Sequence, residues 1–253
     1  MNKTVFDTLV RKKQYQYPYF LLGLYLTFLL STVCLASRIT AIGPMLEPGG
    51  IFAFPLTFCI CDIVGEVYGY AYPRLFIWVG IVAEFIFASI VIGVSHLPAP
   101  DFFTQANAYQ IVFDPTIRYV ISGLVGLLIG ELTNVYLLAK WKILLKGRFF
   151  IFRSLLSTAF GQALLTIIVD ALNYFGKITE SNLGWMMFCG YLWKIGSALI
   201  MVFPAWLIVK YLKKVENIDY YDIHTNFNPF LLTLEQDKET FKQAPVNVKF
   251  SSS

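Results

Sequence analysis

One apolar stretch, residues 51–73, constrains the fold of this chain more than any other part of it. It reads IFAFPLTFCICDIVGEVYGYAYP, which is long enough for a helix of about 20 residues to cross a bilayer. Asp62 lies at its centre, and Glu66 follows one helical turn later. Residues four apart share one helical face, and a carboxylate at that depth is costly. We therefore expect both acids to face protein or a water-filled cavity and to serve a function there.

The composition is that of an integral membrane protein. Hydrophobic residues make up 57% of the 253 positions and charged residues 14%, against ~25% charged in soluble domains. The basic residues gather at the ends of apolar runs, which makes them topology signals and does not indicate nucleic-acid binding. These groups are Lys3, Arg11, Lys12 and Lys13; Lys140, Lys142, Lys146, Arg148 and Arg153; and Lys210, Lys213 and Lys214.

Six apolar runs predict an all-α integral membrane protein with six transmembrane helices. The excess of Lys and Arg on one side predicts that both the N- and the C-terminus are cytoplasmic. We expect a loop in the turn-rich segment 38–50 and a polar, partly disordered tail over residues 212–253. The predicted spans are residues 18–37, 51–70, 75–95, 116–139, 153–176 and 185–211. The predicted domains are a cytoplasmic N-terminal tail at 1–17, a transporter domain at 18–215 and a cytoplasmic C-terminal tail at 216–253.

Ionisable and amide side chains inside the spans are functional candidates by default. Asp170 and Lys194 lie at similar depth in neighbouring spans, so they are either part of a site or a structural ion pair that fixes helix register. Asp62 and Glu66 have no Lys or Arg close to them in sequence, which favours function. For Glu84 and Glu131, a functional role and a structural role are about equally favoured. One face of the fifth span carries a polar stripe of Thr158, Gln162, Thr166, Asp170 and Asn173 within an arc of about 120°.

Other features of the spans favour packing or a ring contact. Ser122, Gly126, Gly130 and Asn134 recur at four-residue spacing in the fourth span, which is typical of helices that approach closely. Most aromatic residues are expected at the membrane interfaces. Tyr68 and Trp193 remain candidates for stacking on a ligand.

Several kinds of catalytic or cofactor site are missing from the sequence. No GxxxxGK[ST] motif is present, so we expect no ATP hydrolysis by this chain. Both histidines, His96 and His224, fall outside the predicted spans, which argues against an intramembrane triad or zinc site. Cys59 and Cys61 lack the further ligands that a zinc site needs. We predict a protein that is not an enzyme and that uses no cofactor or metal.

Three motifs of the membrane domain match one known family. They are D-x3-E-x-Y-G from Asp62 to Gly69, G-R…R-S-x-x-S-T from Gly147 to Thr158, and G-Q…D from Gly161 to Asp170. With them, residues 18–215 resemble the VUT (vitamin uptake transporter, YhhQ-like) family, whose members are bacterial queuosine precursor transporters with six transmembrane helices. The resemblance implies import of 7-deazaguanines (preQ0, preQ1 or queuine) across the bacterial cytoplasmic (inner) membrane for tRNA queuosine salvage.

The polar residues of the spans suit such a cargo. A carboxylate can accept from the paired N–H donors of a guanine-like edge, an amide can meet its carbonyl, and an aromatic ring can cover its flat face. The predicted substrate-binding residues are Asp62, Glu66, Tyr68, Gln162, Asp170, Asn173 and Lys194.

Two other functions fit the same sequence. One is the substrate-binding membrane subunit of an ATP-driven vitamin transporter, and the other is a structural or assembly protein of the membrane. The predicted partners are the small-molecule substrate and the lipid bilayer. The oligomeric state is left open, with a homo-oligomer among the alternatives.

Overall fold

The computed structural model describes residues 15–43, 45–232 and 234, and it is mostly helical. Six of its helices are long and apolar enough to cross a membrane, which confirms the predicted fold class. Two short helical segments, Gly49–Phe52 and the π-helical Leu127–Glu131, connect longer elements. The elements in chain order are α1 (Tyr17–Leu35), β1 (Ile39–Ile42), β2 (Met45–Pro48), α2 (Phe54–Tyr68), α3 (Ala71–Ser95), α4 (Ala106–Phe113), α5 (Thr116–Gly126), α6 (Leu132–Leu144), α7 (Phe150–Tyr174) and α8 (Glu180–Glu216).

Helix α2, which contains the two acids, lies at the centre of the bundle. Its span, Gly49–Tyr68, is the most buried of the six, and α2 packs against α1, α3, α6 and α8. Pro55 occupies its first turn, where the missing N–H costs no hydrogen bond. The helix ends at Gly69, whose φ of +85° is accessible to glycine without strain. The polar residues of α2 are therefore surrounded by other helices.

The α5–α6 span and α7 approach each other through glycines. A Cβ atom on Gly130 would lie 2.7 Å from the carbonyl oxygen of Gly161, and one on Gly161 would lie 2.8 Å from Cβ of Asn134. Gly126 is equally close-packed, since a Cβ there would lie 2.4 Å from a methyl carbon of Val169. The packing role predicted for the small residues of the fourth span is confirmed. The close approach brings Asn134 against α7.

Substitution of Gly161 by alanine is expected to destabilise the protein by about 1–3 kcal/mol, because the added methyl group overlaps the facing backbone. Thermal unfolding of the purified protein in detergent measures the effect. Gly196→Ala is the matched control, since no atom lies within 4 Å of the added Cβ and alanine favours the helix. Equal unfolding midpoints for the two variants would contradict the close helix contact.

Ile39–Ile42 and Met45–Pro48 are the two strands of a β-hairpin, so the loop predicted for segment 38–50 is wrong. Strands β1 and β2 pair antiparallel, with Ile39 opposite Pro48 and Ile42 opposite Met45. The many turn-forming residues concealed the β-branched residues of β1, which favour a strand. The hairpin returns the chain to α1 at Gly50, where a Cβ would lie 2.6 Å from the carbonyl oxygen of Thr32. It thereby covers one end of the bundle, which we call the hairpin end.

The opposite end is covered by residues 217–230, which we call the strap. The Asp222 carboxylate accepts from the backbone N–H of Tyr70 at 3.0 Å. Arg74 Nη1 donates to two carbonyl oxygens of the strap, each at 3.0 Å, and Trp78 Nε1 donates to a third at 2.8 Å. The strap is therefore fastened to the start of α3.

The strap corrects the prediction that residues 212–253 form a partly disordered tail. Helix α8 continues to Glu216, and Ile218 and Tyr220 are buried against the bundle. Part of the polar composition of this segment reflects contacts with buried groups, since Asp222 is 1% exposed, whereas His224 and Asn226 face solvent. Residues 235–253 lie outside the described part of the chain.

Candidate functional site

Glu66 lies in a buried ion cluster under the strap. Its Oε2 accepts from Arg153 Nη1 at 2.9 Å, and its Oε1 accepts from Lys213 Nζ at 2.7 Å. Lys142 Nζ lies 3.8 Å from Oε1 and 2.7 Å from Asp219 Oδ1. We call these five residues the ion cluster. No Lys or Arg lies close to Glu66 in sequence, but α6, α7 and α8 each bring one cation to it. Both oxygens of Glu66 accept hydrogen bonds from these cations.

Asp62 is also buried, but its partners are neutral. Asn134 Nδ2 donates to Oδ1 at 2.8 Å, and the hydroxyl groups of Ser154 and Thr158 donate to Oδ2. Among the described residues, no Lys or Arg forms an ion pair with it. Hydrogen bonds to a carboxylate favour its charged form. Asp62 is therefore held by polar groups of α6 and α7 and not by charge.

A cavity of about 130 Å³ lies at the hairpin end, between the hairpin and α1, α3, α5, α7 and α8. We call it the larger cavity. Rings of Phe54 and Tyr119 supply aromatic surface to its wall. Its ionisable and amide lining consists of Glu47, Glu84, Tyr119, Asp170, Asn173, Tyr174 and Lys194.

Four polar atoms in this lining are buried and have no hydrogen-bond partner among the described residues. They are Glu47 Oε1, Glu84 Oε2, Asn173 Oδ1 and the Tyr174 hydroxyl oxygen. Buried polar atoms are nearly always paired, and leaving one unpaired costs about 1–3 kcal/mol. Three of the four, Asn173 Oδ1 and the oxygens of Glu47 and Glu84 when these carboxyl groups are ionised, can only accept. The cavity therefore suits a ligand that presents several N–H or O–H donors.

Lys194 is the cation of the larger cavity. Its Nζ donates to Thr166 Oγ1 at 2.8 Å and lies 5.9 Å from the centre of the Phe54 ring. The ion pair with Asp170, one of the two alternatives for these residues, is not formed in the described part of the chain, although both residues line the cavity. Thr166, one helical turn before Asp170, takes the ammonium group instead. An ammonium group has three N–H donors, so Lys194 keeps donors for a further partner.

A smaller cavity of about 20 Å³ continues from Lys194 towards the middle of the bundle. Asp62, Thr158 and Gln162 line it, and Lys194 lines both cavities. Its volume suffices for about one water molecule. Gln162 Oε1 is buried there without a hydrogen-bond partner among the described residues. Polar groups thus extend from the hairpin end past Lys194 to Asp62.

Five of the seven predicted substrate-binding residues line one or both cavities. Two of them belong to α7 and line the larger cavity, two line the smaller cavity, and one residue of α8 lines both. The five are Asp170 and Asn173 in the larger cavity, Asp62 and Gln162 in the smaller, and Lys194 in both.

The other two, Glu66 and Tyr68, line neither cavity. The Tyr68 ring packs against Tyr15 and Tyr72, with ring centres 5.5 and 5.4 Å apart, at the strap end of α2. The second stacking candidate, Trp193, contacts the edge of Phe52 and also lies outside both linings.

Sequence reasoning missed Glu47 and Tyr174. Glu47 is the only acid of segment 38–50. Its side chain is 5% exposed because the hairpin packs against α8. A Cβ atom on Gly190 would lie 3.1 Å from Glu47 Oε2. A lone acid in an apolar loop was the available signal. The sequence contained no signal that identified Tyr174 as a site residue, since tyrosines at span ends are common.

Glu47 gives the folded protein a measurable pH dependence. Burial, together with the nearby Asp170 charge, raises its pKa from 4.5 to about 7, and Lys194 opposes that shift. Because the folded-state pKa exceeds the unfolded value, the folded protein binds the proton more tightly. The free energy of unfolding should therefore decrease, by on the order of 1 kcal/mol, as the pH rises from about 4.5 to about 7.

Thermal unfolding of the intact protein and of Glu47→Gln between pH 4.5 and pH 8 measures this contribution. The variant should lose part of the downward slope, since glutamine does not titrate. Identical slopes for Glu47→Gln and the intact protein would show that Glu47 is hydrated in the folded state.

Six helices that are long and apolar enough to cross a membrane, packed around a polar cavity, define the class of this molecule, a multi-pass membrane protein. A family model described as "Putative vitamin uptake transporter" matches residues 48–209. The chain belongs to this family, which confirms the family suggested by its motifs. Searches of curated proteins and of solved structures found no match.

Proposed function

We propose that the protein imports queuosine precursors, 7-deazaguanines such as preQ0, preQ1 or queuine, across the bacterial cytoplasmic membrane. Membership of an uptake-transporter family supports the transport of a small molecule. The motif resemblance supports this particular cargo. The observation that carries the proposal is the group of unpaired acceptors in the larger cavity, because a 7-deazaguanine is rich in N–H donors.

The chemistry of the cavity matches the edge of the base. The ring N–H and the exocyclic amino group of a 7-deazaguanine point in one direction, and a carboxylate such as that of Glu47 can accept from both. The neighbouring carbonyl group needs a donor, which Lys194 or Tyr174 can supply. Phe54 offers a ring for the flat face of the base.

The charge of the cavity favours one member of the cargo class. Glu47, Glu84 and Asp170 are the carboxyl groups of the lining, and Lys194 is its cation. An excess of acids attracts a cationic ligand. The aminomethyl group of preQ1 is a cation, whereas the nitrile of preQ0 is neutral. We therefore expect preQ1 to bind more tightly than preQ0, with the difference decreasing as salt is added.

The route through the bundle follows the polar groups. With the basic end in the cytoplasm, the larger cavity faces the outside, and Lys194 leads from it to the smaller cavity and Asp62. The smaller cavity is too small for a base, so α2, α7 and α8 must separate during transport. The strap covers the inner exit.

The queuosine content of tRNA tests the proposal. The assay uses bacteria that cannot synthesise the precursors and lack their own importer, grown on limiting preQ0 or preQ1. The intact protein should restore queuosine. Asp62→Asn and Asp170→Asn should reduce it at equal membrane abundance, and the control Asp114→Asn should not. Failure of the abundant intact protein to restore queuosine would rule out this cargo for a protein acting alone.

Purified protein in lipid vesicles then separates a carrier from a subunit. Uptake of labelled preQ1 by vesicles that contain only this chain would establish a stand-alone carrier. Tight binding of preQ1 without uptake would instead favour a substrate-binding subunit that needs an ATPase partner.

A further inference from the structure

Two buried carboxyl groups stand apart from the ion cluster and from the polar contacts of Asp62. Glu84 of α3 is 3% exposed, and Glu131, at the end of the π-helical segment, is 0% exposed. Helix α3, which carries Glu84, packs against the π-helical segment that ends at Glu131, and the charge of Glu131 acts on Glu84. Glu84 also lines the larger cavity. The pair therefore lies between the cavity and the interior of the bundle.

No cation pairs with either acid among the described residues, although Lys194 lines the same larger cavity as Glu84. Tyr25 donates its hydroxyl hydrogen to Glu131 Oε2 at 3.2 Å. The other titratable groups that act on the pair are Cys61 and Asp62 of α2. No Lys or Arg in the described ranges forms an ion pair with either acid. Glu131 Oε1 and Glu84 Oε2 are buried there, and neither has a hydrogen-bond partner within the part of the chain that the structure describes.

Two ionised carboxylates cannot share such a place at ordinary pH. Burial disfavours the charged form, and a second negative charge nearby disfavours it further. Closely placed carboxyl groups elsewhere resolve this conflict by sharing a proton. Glu66 can stay ionised although it is buried, because three cations surround it. The Glu84–Glu131 pair lacks that compensation and therefore needs a proton.

The backbone adds an independent indication. Leu127–Glu131 is a π-helical turn inside an otherwise α-helical span, and such turns occur frequently at functional sites. Leu127, the first residue of the π-helical turn, lines the larger cavity. Glu131 is the last residue of the same turn. One irregular turn thus joins the cavity wall to a fully buried acid. A rearrangement of this turn would change both the cavity and the environment of Glu131.

We propose that Glu84 and Glu131 form the proton-binding site of the carrier, and that a proton taken up from the larger cavity travels with the cargo. Glu84, which lines the cavity, receives the proton first, and Glu131 holds it in the interior. This inference rests on the proposed transport function for its role, but not for the existence of the bound proton.

Infrared spectroscopy of the purified protein in lipid tests the bound proton without any cargo. The C=O stretch of a protonated carboxyl group should be present at neutral pH and should disappear as the pH is raised. Glu131→Gln and Glu84→Gln should each remove or shift this band, and Asp114→Asn should leave it unchanged. A missing band, or one unaffected by both variants, would overturn the proposal.

Transport of preQ1 in vesicles tests the coupling. An inward proton gradient should drive accumulation by the intact protein, and a protonophore should abolish it. Glu131→Gln should lose accumulation by at least about tenfold yet still exchange external for internal preQ1, as expected for a carrier that has lost only its driving ion. Accumulation by Glu131→Gln equal to that of the intact protein would overturn the coupling. If the intact protein moves no preQ1, the cargo is wrong, and the infrared result still decides the proton site.

Discussion

Replacement of Glu66 by alanine is expected to lower the free energy of unfolding by about 3–5 kcal/mol, because it leaves buried cations without a counter-charge. Arg153 and Lys142 are almost completely buried, and Glu66 is the shared partner of these two and of Lys213. Asp219 partly compensates the two lysines, at 2.7 and 2.9 Å, but it does not pair with Arg153. Unfolding in detergent, followed by tryptophan fluorescence or by heating, measures the loss.

Asp114→Ala is the matched control for this prediction. Asp114 pairs with His96 at 3.6 Å, but both side chains are half exposed, and such pairs contribute at most about 1 kcal/mol. A loss for Glu66→Ala no larger than that of the control would mean that the ion cluster does not stabilise the fold. Glu66→Gln that remains stable but does not transport would instead support the substrate-binding role predicted from sequence.

The membrane-spanning part of the fold could be predicted because its causes are local. A bilayer demands a fixed length of apolar helix, and each of the six runs meets that demand within its own residues. The boundaries were less exact. Helix α8 begins at Glu180 and ends at Glu216, beyond the predicted 185–211, since polar turns at both ends continue the helix outside the apolar run. A short helix, Ala106–Phe113, also lies between the predicted spans 75–95 and 116–139.

The ion cluster could not be predicted, because its partners are distant in sequence. Lys142, Arg153 and Lys213 lie 76, 87 and 147 positions from Glu66. In sequence these cations served as topology signals at the ends of spans, and nothing local identified them as partners of Glu66. The helical periodicity did predict correctly that Asp62 and Glu66 face the protein interior. What each acid contacts there depends on the packing of three other helices.

The candidate site was predictable in part for a similar reason. The polar stripe on α7 identified Gln162, Asp170 and Asn173 from one helix alone, and all three line a cavity. Glu47 reaches the larger cavity only because the hairpin folds back over the hairpin end. Hairpin pairing and its position on the bundle are tertiary features. A residue that depends on them leaves little trace in the sequence.

Replacement of Lys194 by methionine is expected to reduce preQ1 uptake by about 10- to 100-fold, the equivalent of one lost charge-assisted hydrogen bond. Lys194 lines both cavities, so its loss affects binding and passage together. The same change should leave the unfolding midpoint unchanged or raise it, because methionine fills a similar volume and removes a buried charge that forms no ion pair among the described residues. Uptake into vesicles tests the expected loss of transport, and thermal unfolding of the same preparation tests the expected stability.

The opposite signs of the two effects distinguish a transport role from a structural one. A lysine kept to fix helix register would lose stability and uptake together when replaced. Lys177→Met, at an exposed lysine in the connection between α7 and α8, removes the same charge and should change neither quantity. Normal uptake by Lys194→Met would exclude its ammonium group from the route, whereas a large loss of stability would assign Lys194 to the framework of the bundle. Reduced uptake in a protein that is at least as stable as before is the result that identifies a residue retained for its cargo.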